Sequence, residues 1–93
     1  IMQEYQEQAQ KLLEKLKQEV ADPERNFSQM RFDAHTLKGS SAAVSAHKLR
    51  DEAKEMEKAA VAKDFKGFDE RRTAFALDFL KLKTIIKNWK SSL

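Results

Sequence analysis

The chain has 93 residues, enough for one domain (residues 1–93) and one hydrophobic core, so whatever it does it does with a single surface. With 41% hydrophobic residues, two Gly and one Pro, its composition favours helices, and the absence of Cys excludes a disulfide framework and thiolate metal sites. The formal charge of +3 comes from 18 basic and 15 acidic residues mixed along the chain, without the clustered, aromatic-interleaved basic face of a nucleic-acid binder. No nucleic-acid partner is expected.

No apolar run reaches the roughly 20 residues of a spanning helix, and the opening IMQEYQEQ is polar rather than signal-like. The expectation is a cytoplasmic chain without direct membrane insertion. Its start at Ile1 suits a piece of a larger protein, which could be membrane-anchored elsewhere.

Tyr5, Ala9, Leu12, Leu13, Leu16 and Val20 recur at intervals of three and four, predicting a first helix over 2–20. Asp22-Pro23-Glu24-Arg25-Asn26 ends it, because Pro cannot continue a helix and biases its predecessor towards extended backbone. A second helix is predicted over 27–44 on Phe27, Met30, Ala34, Leu37, Ser41 and Val44. Ser45 is a candidate N-cap for a third helix over 46–62, with Leu49, Ala53, Met56 and Ala60 inward. Lys63-Asp64 is the next break and Asp64 can cap a fourth helix over 65–91, where Phe68, Phe75, Phe79, Leu82, Ile86 and Trp89 form a core stripe. Lys81, Lys83, Lys87 and Lys90 read as its solvated face and C-terminal turn, where cations suit the helix dipole. There is no strand-like alternation and no repeat. Four amphipathic helices with short connections predict an all-α, antiparallel four-helix bundle.

On a wheel of 100° per residue the second helix's apolar stripe fills an arc of about 100°, and His35 lies roughly 140° from its centre. His35 therefore faces solvent, with Arg31, Phe32, Lys38, Gly39 and Ala42 on the same side. A phosphorylatable His must be neutral to act as a nucleophile, and the ordinary imidazole pKa of about 6.5 allows that at pH 7. Lys38, one turn on, can neutralise part of a phosphoryl group's charge. A mid-helix Gly costs about 1 kcal/mol relative to Ala, so Gly39 wants a reason, and close approach of a partner's loops over Gly39 and Ala42 supplies one.

The run His35-Thr36-Leu37-Lys38-Gly39-Ser40-Ser41-Ala42-Ala43-Val44-Ser45-Ala46, followed by Leu49, resembles the signature H-x-L-K-G-S-[SA] of histidine-containing phosphotransfer (HPt) domains. The four-helix pattern extends that resemblance over the whole chain. It implies His35 as phospho-acceptor, Lys38 as its charge partner and Gly39 as the clearance residue. The one departure is Ser45, where the family usually carries Gly.

The resemblance also implies the partners: response-regulator receiver domains, a hybrid sensor histidine kinase, or both. The expected activity is that of a monomeric phosphoryl carrier without kinase activity, taking a phosphoryl group from one receiver aspartate and passing it to another. It implies no cofactor of its own, with Mg²⁺ on the receiver. The alternative is a non-catalytic helical docking bundle. Arg31, Phe32, Gly39 and Ala42 are the candidate docking residues, Phe32 as an anchor because its wheel position is about 160° from the buried stripe. His47 reads as an ordinary surface or interhelical His. Since the two His lack metal-ligand spacing, no metal site is expected.

Overall fold

The computed structural model describes residues 2–91, in which four α-helices follow one another without a strand: α1 (Met2–Ala21), α2 (Phe27–Ala43), α3 (His47–Val61) and α4 (Phe65–Ser91). They form an antiparallel bundle in which α2 and α3 share the most extensive contact, followed by α3 with α4.

The periodic stripes become the core. Tyr5, Ala9, Leu13 and Leu16 of α1, Met30, Ala34 and Leu37 of α2, Leu49, Ala53, Met56 and Ala60 of α3, and Phe68, Phe75 and Phe79 of α4 are all buried in one cluster. The three buried Phe are its largest fully buried side chains: Tyr5 meets Phe79 edge-on at 6.0 Å between centroids, and Phe79 stacks on Phe75 at 6.3 Å. The Tyr5 hydroxyl finds a buried partner in Ser41 Oγ at 2.8 Å, which ties α1 to α2 and explains a polar residue within the α2 stripe.

The fourth stripe differs from expectation at its end. Leu82 packs against the core and Ile86 is half-buried, but Trp89 is 62% exposed and Lys87, Asn88, Lys90 and Ser91 are exposed with it. At 1.5 Å per residue α4 is about 40 Å long and α3 about 22 Å, so the end of α4 outruns α3. Trp89 is not core filling.

The turns explain the other differences. Asn26 caps α2 as its side chain accepts from Gln29 N at 3.1 Å, and Asp64 caps α4 by accepting from Gly67 N at 3.0 Å. A Cβ on Gly67 would collide with the Asp64 carboxylate, so Gly there keeps room for the cap. Ser45, expected as the N-cap of α3, does something else. Its N–H donates to Ala42 O at 3.0 Å and the next N–H, of Ala46, donates to Ser41 O at 2.8 Å. This pair of bonds closes α2 with Ser45 in the left-handed position at φ 60°. Thus α2 ends one residue early, and Ala46, without a side-chain cap bond, precedes α3.

The α3–α4 turn repeats this arrangement, with Lys63 at φ 55° and bonds from Lys63 N to Ala60 O and from Asp64 N to Ala59 O. A side chain in the left-handed region costs about 1 kcal/mol or more, and Gly removes that cost. Ser45→Gly should therefore raise the unfolding free energy by about 1 kcal/mol. Urea denaturation checks this through a higher midpoint at unchanged slope.

Candidate functional site

Burial of Ala34, Leu37 and Ser41 leaves the opposite side of α2 to solvent, and His35 stands there with its side chain 61% exposed. Arg31, Phe32, Gly39 and Ala42 are exposed on the same helix, Phe32 at 61%. Phe32 is thus not a core residue. Around Gly39 there is open space: an added Cβ would meet no atom within 4 Å. Among the described residues no packing calls for glycine at that position.

Facing His35 across the helix pair is a residue that sequence reasoning did not single out. Glu57 follows Met56 on α3, at the edge of the buried stripe, and its side chain is only 16% exposed. One oxygen, Oε2, lies 2.8 Å from His35 Nδ1, and the other, Oε1, accepts from Lys38 Nζ at 2.8 Å. The Lys38 hydrogen bond holds the Glu57 carboxyl below the usual carboxylate range, against the opposing effect of burial, and the His35 hydrogen bond adds to it. Glu57 is therefore ionised and can only accept, so Nδ1 carries the hydrogen. In the neutral ring this leaves the lone pair on Nε2. Lys38, expected beside the phosphoryl position, is held by Glu57 here.

Asp33, also absent from the expected site and core, is 1% exposed. Its Oδ1 accepts from Lys15 Nζ at 3.2 Å and Gln29 Nε2 at 3.1 Å. His47 is exposed at the first position of α3, next to a shallow groove it lines with Leu49, Leu82 and Ile85. Among the described residues no three His, Asp or Glu side chains are grouped to hold a metal, and no helix is long and apolar enough to cross a membrane.

The site thus consists of an exposed His on the second helix of a four-helix bundle, paired to a carboxylate on the third. The family model for Hpt domains matches residues 1–90, and the chain belongs to that family. Hpt domains are phosphocarriers without intrinsic kinase activity, which serve histidine phosphotransfer in phosphorelays and interact with receiver domains and kinases. No curated protein and no solved structure matches the chain.

The geometry fixes an observable tautomer. In nitrogen-15 spectra above the imidazole titration, His35 should be almost wholly the Nδ1–H form, whereas Glu57→Ala should shift it towards the Nε2–H form that free imidazole side chains favour. An unchanged tautomer ratio in the variant would exclude Glu57 as the group that sets it.

Proposed function

We propose that this domain accepts a phosphoryl group on Nε2 of His35 from the aspartyl phosphate of a receiver domain and passes it to the aspartate of another. The observation that carries the reading is the His35–Glu57 pair, which supports a ring with its lone pair on the exposed nitrogen. The Nε2 lone pair attacks phosphorus, the bond from phosphorus to the aspartyl oxygen breaks, and the receiver's carboxylate leaves with that electron pair. The ring gains positive charge as the new bond forms. Glu57, anionic at the Nδ1 hydrogen, stabilises that charge and acts as a positioning residue.

Lys38 is the cation nearest in sequence to the nascent phosphoryl group, which brings nearly two negative charges at neutral pH. Its Nζ can exchange Glu57 Oε1 for a phosphoryl oxygen while Glu57 keeps its bond to the ring. Mg²⁺ and the rest of the charge-stabilising apparatus belong to the receiver. Gly39 and Ala42 give that receiver clearance over the helix, while Phe32 and Arg31 offer an aromatic anchor and a cation beside the His.

Incubation with a phosphorylated receiver tests this directly. Wild type should take up label that is acid-labile and alkali-stable, His35→Gln should take up none at unchanged helix content, and His47→Gln should match wild type. A folded wild-type chain that accepts no label from a panel of receivers would leave a docking bundle as the better reading.

Surface variants separate the roles. Lys38→Ala should slow transfer or shorten the phosphohistidine lifetime without unfolding the chain. Phe32→Ala should weaken receiver binding by roughly 1–3 kcal/mol with little change in stability, and Gly39→Leu should weaken binding while slightly stabilising α2. Receiver titrations followed by calorimetry, set beside urea denaturation of the same variants, check both.

A further inference from the structure

Outside the phosphotransfer site, each half of the bundle holds a Lys–Asp–Glu group built the same way. In the α1–α2 half, Asp33 Oδ1 is bonded to Lys15 and Gln29, but Asp33 Oδ2 and Glu19 Oε1 are both buried with no donor in reach among the described residues. In the α3–α4 half, Asp78 Oδ2 lies 3.4 Å from Lys48 Nζ and Asp78 Oδ1 lies 3.7 Å from Lys81 Nζ, while Glu52 Oε1 is buried without a donor. In both halves the Lys stands four residues before the Glu on one helix, and the Asp comes from the next helix in the chain.

Two ionised carboxylates can only accept, so a facing pair cannot satisfy either member. Buried polar atoms are hydrogen-bonded almost without exception. A single proton on one member converts the clash into a short, charge-assisted hydrogen bond and satisfies both. We propose that Glu19 and Glu52 are neutral carboxylic acids that donate to Asp33 and Asp78, so that each helical hairpin is latched by a shared proton and the bundle is destabilised as the pH rises through neutrality.

Which member holds the proton follows from the surroundings. Burial, then the hydrogen bond to Asp33 and the charge of Asp33, push Glu19 up to about 7 against the opposing charge of Lys15. Burial, then the hydrogen bond to Asp78 and the charge of Asp78, push Glu52 up to about 7 against Lys48 and Arg71. Asp78 moves the other way: the hydrogen bond from Glu52 holds it below the usual range, with Lys48 and Lys81 helping against burial. A raised folded-state value means that the native chain keeps a proton the unfolded chain has released. The contribution to stability is complete below the ordinary carboxylate range near 4.5 and is lost as the pH rises through about 7.

Carboxyl carbon-13 shifts of the glutamate-labelled 93-residue chain, followed from pH 3 to 9, test the latches directly. Two glutamates should titrate near neutrality, well apart from the rest, one vanishing in Glu19→Gln and the other in Glu52→Gln. If either residue titrates in the ordinary carboxylate range, the latch on its hairpin is overturned.

A second measurement reads the consequence. So that no imidazole contributes to the pH dependence, thermal unfolding is compared in a His35→Gln/His47→Gln background. There the melting temperature should fall between pH 5.5 and 8. Adding Glu19→Gln and Glu52→Gln, whose amides donate at every pH, should flatten that dependence. Equal pH dependence with and without the glutamates would overturn the proposal.

Discussion

The close approach of α2 and α3 is the constraint on which the site depends. Small residues are buried on both helices, Ala34 and Ser41 on α2 and Ala53 and Ala60 on α3, together with Leu37 and Met56. Only with the helices this near does a side chain as short as Glu57 reach both His35 and Lys38 at 2.8 Å. A slip of one helix by one turn, about 5.4 Å, would break both bonds together. The packing that stabilises the bundle is therefore the packing that sets the geometry of the exposed imidazole.

That arrangement divides labour between two helices. α2 presents the nucleophile with an open flank at Gly39, and α3 supplies a carboxylate from a largely buried position where its orientation is fixed. Since Lys38 satisfies the second oxygen of Glu57, the carboxylate stays ionised and aligned while the ring remains accessible. A fully exposed glutamate would spend much of its time in solvent; a fully buried one would tend to bind a proton. Glu57, between those limits, does neither.

Much of this was legible in the sequence, because helical periodicity is local. The intervals of three and four put Ala9, Leu37, Ala53 and Phe75 inside and left His35 and Phe32 outside, as the structure has them. What the sequence hid is set by partners distant in the chain. Glu57 is 22 residues from His35, and on its own helix it is one more charged residue beside a stripe. Asp33 has no place in the expected core or site, and its partner Lys15 comes from another helix. Trp89 keeps the helical phase of the α4 stripe, but phase does not say where the neighbouring helix stops. Ser45 was a poor guide to its turn, since the left-handed conformation comes from bonds to Ala42 and Ser41 rather than from the residue placed there.

The unequal helix lengths also shape how the molecule opens. Where α1, α2, α3 and α4 all lie side by side, an amide can exchange with solvent only if several packed stripes separate. Along Lys87–Ser91 the side chains are exposed and none belongs to the buried core. These amides form a low-energy opening unit that frays without disturbing Phe75 or Phe79. Hydrogen exchange along α4 should accordingly be graded, slowest near Phe75 and rising steeply beyond Ile86, so that one continuous helix behaves as a rigid inner strut with a labile outer end.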